Sequence, residues 1–134
     1  MLEGDLEQRI LERVRKIPAF DKLGLRVEEL SPGRCVAVAP HDKSFDGIFE
    51  SFHGGMLMTV ADTIACFAMM TYTGPDIRVA TTDMNIRFLA PCLTDVRAEA
   101  KVIKMGRTLC PIQVDLYDMN RRHVAIAQVN YIQL

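Results

Sequence analysis

The spacing of apolar residues predicts a helix at the start of the chain and two short strands after it. Between Leu6 and Ile17 apolar residues recur every three or four positions, which predicts an amphipathic helix over 5–17 that Pro18 ends. Two short apolar segments then flank a turn of Ser, Pro, Gly and Arg. We expect strands at 25–30 and 35–39, and a loop rich in Pro, Asp, Ser and Gly at 40–52.

The middle of the chain predicts one long helix, and the rest predicts a sheet. Gly54 and Gly55 precede an almost wholly apolar segment, which Thr73-Gly74-Pro75 ends. Apolar and polar residues then alternate in four segments, as in strands with one buried face. These strands are predicted at 79–89, 96–103, 109–116 and 124–132. An α+β fold follows, with an antiparallel sheet wrapped around a helix that is apolar on nearly every face.

Composition narrows the class of protein. A chain of 134 residues corresponds to one domain, taken here as 1–134 with 1–18 as an N-terminal helix. The 16 Lys and Arg residues nearly match the 17 Asp and Glu residues, so no basic excess favours nucleic acid or an anionic membrane as a partner. The acidic start lacks a signal-peptide pattern, and the apolar segment 56–70 is shorter than a membrane span. We expect a cytoplasmic protein.

The four cysteines carry no signal of a metal site or a redox motif. They are not arranged as Cys-x-x-Cys, and no His lies near them at the spacing of a metal ligand. We expect reduced, buried thiols, no metal and no cofactor.

One carboxylate lies inside the apolar helix. Between Ser51 and Pro75, Asp62 is the only Asp, Glu, Lys or Arg residue. Burying an unpaired carboxylate costs much free energy. Asp62 is therefore either hydrogen-bonded to a neighbouring segment as a structural group or used in chemistry.

The motif His53-Gly54-Gly55, at the start of the same helix, favours the chemical interpretation. Backbone N–H groups at a helix N-terminus attract negative charge, and glycine lets a ligand approach the backbone closely. Two structural alternatives stay open. The glycines could serve only close packing, and the His53 ring could only pack under the preceding loop.

The order of elements, with this motif and Asp62, resembles the hotdog-fold acyl-CoA thioesterases of the phenylacetate-degradation (PaaI-like) type. The resemblance runs from the loop at 42–47 to the C-terminus. In this family Asn often stands where this chain has Gly47, and Gly where it has Glu50. Either Asp46 or Glu50 takes over substrate positioning, or the site is tuned differently. The matching segments are Ala61-Asp62-Thr63, Thr82-Asp83-Met84-Asn85, Phe88-Leu89-Ala90-Pro91 and Lys104-Met105-Gly106-Arg107-Thr108.

The resemblance implies roles for individual residues. Asp62 would activate water as a base or attack the thioester as a nucleophile, and the backbone N–H of Gly54 would stabilise the oxyanion. His53 would position and polarise the substrate. Thr81 would hold the attacking water, and since Thr82 lies on the opposite face of the strand, only one of the two can point inward.

Further residues are implied to bind the substrate. Lys104 and Arg107 would contact the phosphates of coenzyme A, although they could equally be solvated charges of a hairpin. The full set of substrate-binding residues is Gly55, Asp83, Met84, Asn85, Lys104, Arg107 and Thr108.

The spacing of the two central groups implies an oligomer. Gly54 and Asp62 are eight residues apart, or about 12 Å along a helix, whereas reacting groups must approach to about 3–3.5 Å. A two-fold pairing of helices would bring Gly54 of one chain to Asp62 of the other. We expect a homodimer with two equivalent sites, which by resemblance pairs again into a homotetramer.

Two other functions compete with hydrolysis of an acyl-CoA. A hotdog hydratase or dehydratase also uses a His and an acid, but in a different loop and helix pattern. A non-catalytic acyl-CoA sensor could lose the acid and would usually carry a DNA-binding extension. The acyl group itself is open, with aromatic and medium-chain groups both plausible by resemblance.

Overall fold

The chain forms a six-stranded antiparallel sheet with one long helix packed on one face. The computed structural model describes residues 2–134. The strands lie in the order β1-β2-β4-β5-β6-β3. The elements are α1 (Leu6–Val14), α2 (Pro18–Leu23), β1 (Arg26–Ser31), β2 (Arg34–Ala39), a 3₁₀ turn (Lys43–Phe45), α3 (Gly54–Thr73), β3 (Val79–Phe88), β4 (Val96–Val102), β5 (Leu109–Tyr117) and β6 (His123–Gln133).

The N-terminal segment differs from its prediction. The helix predicted over 5–17 is present but shorter, since α1 ends at Val14, and a second helix that was not predicted, α2, follows from Pro18 to Leu23. Pro18 begins this second helix, since a first-turn residue needs no N–H donor and proline already has a helical φ. Gly24 ends it with a φ of 64°, a conformation that favours glycine.

The helix α3 is the core of the fold. It has the predicted bounds, and it packs mainly against β2, β4 and β5. With 20 residues it is longer than the predicted apolar segment 56–70, and by length and composition alone it could cross a membrane, but 56% of its apolar window is buried inside the fold, as in a core helix. That prediction omitted the residues at both ends that continue the helix. The buried residues of α3 are Leu57, Val60, Ala61, Ile64, Ala65, Phe67, Ala68, Met69 and Thr71.

One side of α3 is not covered by the sheet. Gly55 and Thr59 are exposed, and Asp62, Cys66 and Met70 continue the same face as half-buried residues. The sheet wraps around α3 as predicted but leaves this one side of the helix open in a single chain. The uncovered face lies next to β3, which is an edge strand that pairs only with β6. We call these five residues the open face of α3.

A β-bulge at Thr82 sets which side chains of β3 face the helix. Thr81 is opposite Tyr131 on β6, yet Asp83 is opposite Asn130, so Thr82 is the extra residue. A bulge re-aims the side chains beyond it. Met84 is opposite Val129, which is fully buried and packs in the core under α3.

Candidate active site

The carboxylate of Asp62 is held by two hydroxyl groups from the sheet. The Thr81 hydroxyl donates to Asp62 Oδ1 over 2.7 Å, and the Tyr131 phenol donates to the same oxygen over 2.8 Å. The phenol also lies 2.9 Å from the main-chain oxygen of Asp62. Among residues 2–134 no cation forms an ion pair with Asp62. The acid is thus stabilised by neutral donors and keeps its second oxygen available.

Tyr131 was not among the residues singled out from the sequence. It is 6% exposed, and burial, helped by the nearby negative charge of Asp62, raises the pKa of its phenol well above the ordinary value. The phenol therefore stays protonated at neutral pH and acts as a donor. The alternation of β6 could have placed this residue on the inner face, but no sequence signal indicates that it reaches Asp62.

Of the two adjacent threonines, only Thr81 points at Asp62. The Thr82 hydroxyl donates to Asp83 Oδ1 over 2.9 Å and to the main-chain oxygen of Asn130 over 3.1 Å. The side-chain amide of Asn130 donates to Asp83 Oδ2 over 3.0 Å. Asp83 is therefore bonded on the side of the sheet away from Asp62, and the structure does not bring the two acids together within one chain.

The other residues of this strand segment divide between the two faces of the sheet. Asn85 is opposite Gln128, which is exposed, and so lies on the same outer side as Asp83. Met84 lies on the inner side, toward the helix. Only Met84 of these three predicted substrate-binding residues shares the face of Thr81.

His53 caps the N-terminus of α3. Its Nδ1 accepts a hydrogen bond from the backbone N–H of Gly55 over 2.9 Å. This geometry places the proton of a neutral imidazole on Nε2. A Cβ on Gly55 would lie 3.2 Å from Nδ1, a tight contact that the His53 ring would have to yield to by a few tenths of an ångström. The structural alternative for His53 thus takes the form of a helix cap. The N–H of Gly55 is engaged in this cap.

The N–H of Gly54 remains available to a ligand. Among residues 2–134 it donates no hydrogen bond, as is usual for the first residue of a helix. The ring of Phe88 packs on Gly54, where a Cβ would lie 3.0 Å from Cζ. A groove of about 470 Å³ opens beside it. Its walls are Ser51, Phe52, Gly54, Leu57, Phe88, Leu89, Ala90, Pro91 and Cys92.

The loop before α3 contains Gly47 at the position where the family often has Asn. Asp46 is paired with His41 through Oδ1 and Nε2, so its carboxylate is engaged. Glu50 is exposed and has a φ of 61°. Gly47 faces His53, since a Cβ there would lie 3.7 Å from the imidazole Cδ2. A side chain at this position would therefore start in ordinary van der Waals contact with His53.

The predicted phosphate contacts lie on the connection between β4 and β5. Lys104, Arg107 and Thr108 are exposed there, and the main-chain oxygen of Thr108 accepts from the N–H of Gln133 over 3.0 Å. Among the described residues neither cation forms an ion pair, and no hydrogen bond joins them to Asp62.

Within residues 2–134 no three His, Cys, Asp or Glu side chains are placed to hold a metal ion.

The two central groups are far apart within one chain. Gly54 and Asp62 both belong to α3, so their separation is about 12 Å along the helix axis. Asp62, Thr81 and Tyr131 form one half of a possible site, and His53 with Gly54 forms the other half. One small carbonyl group cannot contact both halves of the same chain.

Comparisons with known proteins agree with this architecture. The family model described as "Domain of unknown function (DUF4442)" matches residues 8–132. Acyl-coenzyme A thioesterase 13 of Mus musculus is 28% identical over 115 residues, which cover 81% of this chain and 80% of the mouse protein. A putative esterase of Halobacterium salinarum is 34% identical over 92 residues, which cover 65% of this chain and 61% of that protein.

Solved structures confirm the fold. A thioesterase family protein from Silicibacter pomeroyi has a TM-score of 0.89 at 25% identity, covering 96% of this chain and 98% of that one. The PaaI protein of the phenylacetic acid degradation operon of E. coli has a TM-score of 0.90 at 18% identity, covering 100% and 96% of the two chains. The α+β hotdog fold, the resemblance to PaaI-like thioesterases and the class of thioester hydrolase are thereby confirmed. The chain belongs to the DUF4442 family and has the fold of the PaaI-like hotdog thioesterases.

Proposed function

We propose that the protein hydrolyses an acyl-CoA thioester to a free acid and coenzyme A. The observation that carries this proposal is the carboxylate of Asp62, held at Oδ1 by Thr81 and Tyr131 on the open face of an otherwise apolar helix. A half-buried acid without a cationic partner suits proton transfer better than a structural ion pair. The relative named acyl-coenzyme A thioesterase 13 supports coenzyme A as the thiol.

In the proposed reaction Asp62 activates a water molecule. Oδ1 is occupied by two donors, so Oδ2 accepts the proton of the water. The Thr81 hydroxyl donates its hydrogen to Oδ1. The lone pairs of the hydroxyl oxygen can therefore accept a hydrogen bond from the same water. Direct attack by Asp62 on the thioester is the alternative. That route forms an acyl–Asp62 anhydride and releases coenzyme A before water enters. If water then opens the anhydride at the Asp62 carbonyl, a single turnover in ¹⁸O-water leaves the label in Asp62 and the acid unlabelled, whereas the water route labels the acid and not Asp62.

The negative charge that develops on the carbonyl oxygen needs a donor. The N–H of Gly54 has no partner in the described chain and lies at the positive end of the dipole of α3. Because it is about 12 Å from Asp62 of its own chain, we propose that a second copy supplies it. His53, whose imidazole caps the same helix end, would fix the backbone that carries this donor.

The structure offers a surface on which the second copy could pair. Among the described residues β3, which has ten residues, hydrogen-bonds to β6 on one side only, so its other edge has backbone groups without a partner in residues 2–134. Two β3 strands joined antiparallel about a two-fold axis would set the open faces of two α3 helices side by side in opposite directions. Gly54 of each chain would then approach Asp62 of the other, which supports a homodimer with two equivalent sites.

We also propose a single domain over 1–134, a homotetramer built from two dimers, and a cytoplasmic location. The proposed substrate contacts are Gly55, Asp83, Met84, Asn85, Lys104, Arg107 and Thr108. Of these, Gly55 already donates its N–H to His53, and Asp83 is bonded to Asn130, so their part in binding would have to use other atoms or follow dimer formation.

A hydrolysis screen tests the proposed function. The wild-type protein and Asp62→Asn are incubated with a panel of aromatic and medium-chain acyl-CoA thioesters, and release of free thiol is followed. We expect turnover of at least one class by the wild type and a loss of at least about 10²-fold in Asp62→Asn, with the fold retained. Binding of acyl-CoA without thiol release by the wild type would overturn the proposal in favour of a binding module.

A further inference from the structure

We infer that Tyr131 is a positioning residue that fixes the Asp62 carboxylate for the reaction, because its phenol joins Oδ1 and the main-chain oxygen of Asp62 at 2.8 and 2.9 Å. This inference rests on the proposed function and adds a residue to it. Neither the family resemblance nor the motif around His53 includes Tyr131.

The phenol is fixed in place more firmly than an ordinary surface donor. The Tyr131 side chain is 6% exposed, and its ring belongs to the hydrophobic core. Tyr131 lies on β6, which is paired on both sides, with β5 and with β3. Its hydroxyl is thus set by the centre of the sheet, and little conformational freedom remains to be lost when it binds Asp62.

The two contacts of the phenol constrain both the side chain and the backbone of Asp62. The single hydrogen of the phenol is shared between Oδ1 and the main-chain oxygen of Asp62, and this three-centre contact ties both the carboxylate and the backbone of α3 to one point on β6. Together with the Thr81 hydroxyl, the phenol leaves Oδ2 as the one carboxylate oxygen without a donor in the described chain. The carboxylate therefore presents a defined oxygen toward the open face of α3.

The neighbouring ionisable groups do not take over this role. Cys66 follows Asp62 by one helical turn, and burial raises the pKa of its thiol to about 11, so it is neutral at neutral pH. Arg13 of α1 acts on Cys66 from a distance, but it forms no ion pair with Asp62 within residues 2–134. The donors that face the carboxylate are thus the two hydroxyl groups, and of these only Tyr131 is anchored in the core.

The variant Tyr131→Phe tests this inference, since it keeps the ring and removes only the hydroxyl. We expect kcat to fall about tenfold, the effect of one lost hydrogen bond to a charged group, while KM stays within about twofold. The acidic limb of the pH profile of kcat should move to higher pH, because the ionised acid loses a donor. A purely structural role would lower stability without moving this limb.

Tyr117→Phe is the matched control. Tyr117 lies on β5 opposite Arg97, on the outer side of the sheet, and its ring stacks on His123. We expect its kcat and pH profile to equal those of the wild type. Urea unfolding of both variants separates any change in stability from the kinetic effects.

A second readout does not depend on turnover. In protein labelled with ¹³C at aspartate carboxyl groups, the Asp62 resonance is assigned by its absence in Asp62→Asn. We expect Tyr131→Phe to shift this resonance at fixed pH and Tyr117→Phe to leave it in place. An unmoved resonance, or wild-type kcat with an unmoved pH profile in Tyr131→Phe, would overturn the inference. Absence of all acyl-CoA hydrolysis in the wild type would instead overturn the proposed function, and the resonance would then decide the role of Tyr131.

Discussion

Thr81 and Tyr131 face each other across the ladder between β3 and β6, and both hydroxyl groups donate to the same oxygen of Asp62. Residues directly opposite in an antiparallel pair carry their side chains on the same face of the sheet. The two hydroxyl groups therefore hold the Asp62 carboxylate together, below the middle of α3. The bulge at Thr82 begins directly after it and turns the next residue, Asp83, to the other face.

The adjacent threonines provide a matched pair of variants. We expect Thr81→Val to lower kcat at least about tenfold, because it removes a donor to the carboxylate and the proposed acceptor for water. Thr82→Val should stay within about twofold of wild type, because its hydroxyl bonds only to Asp83 and Asn130 on the far side of the sheet. Steady-state kinetics on the substrate found by screening would check both. Equal losses in the two variants would contradict the assignment of Thr81.

Substitutions at His53 distinguish its role as the cap of α3 from its proposed role in the reaction. His53→Ala removes the acceptor for the Gly55 N–H and should lower the free energy of unfolding by about 1 kcal/mol. His53→Asn supplies another cap acceptor and should restore most of that stability. Its activity should stay low if the imidazole also positions and polarises the substrate, as the resemblance implies. Urea denaturation and kinetics measure the two effects. Full activity of His53→Asn would mean that His53 acts as a cap alone.

The buried thiols predict a loss of stability at alkaline pH. Burial, with a smaller effect of Glu29, raises the pKa of Cys35 from 9.0 to about 12. The folded state thus holds this proton more tightly than the unfolded state. The resulting stabilisation is complete below pH 9 and disappears as the pH rises toward 12.

Urea unfolding at neutral and at alkaline pH measures this effect. We expect the free energy of unfolding to fall between the two conditions, and to fall less in Cys35→Ala than in the wild type. The variant will be less stable at both pH values because it leaves a cavity, so only the difference between them is informative. An identical alkaline loss in both proteins would contradict the role of Cys35.

Local sequence signals predicted the element boundaries well. The bounds of α3 follow from the glycine pair at its start and from Thr73-Gly74-Pro75 at its end. Each of the six strands lies within one residue of its predicted bounds, because alternation defines a half-buried strand directly. Pro18 was predicted to end a helix, but it begins α2 instead. Proline is compatible with both positions.

Features that depend on strand register could not be predicted in the same way. The bulge at Thr82 and the pairing of Thr81 with Tyr131 arise from contacts about fifty residues apart in sequence. Tyr131 looked like any inward residue of an alternating strand. The open face of α3 was missed because composition shows that a helix is apolar but not which neighbour covers it.

Complementation between two inactive chains tests whether two subunits share each active site. Asp62→Asn lacks the acid, and Gly54→Pro lacks the donor N–H while proline remains compatible with the first position of a helix. Gly54→Ala is the control, since it adds a Cβ against Phe88 but keeps the N–H. Both variants add a Cβ against Phe88, but only Gly54→Ala keeps the N–H. The difference in activity between them therefore measures the contribution of the N–H donor.

The measurement is the acyl-CoA hydrolase activity of an equimolar mixture of Asp62→Asn and Gly54→Pro after co-refolding, with mixed dimers verified by two affinity tags. A mixed dimer has one site with both groups intact, so random pairing should restore about a quarter of the wild-type sites. Each variant refolded alone should stay inactive. Mixed dimers as inactive as either parent would contradict a site formed by Asp62 of one chain and Gly54 of the other.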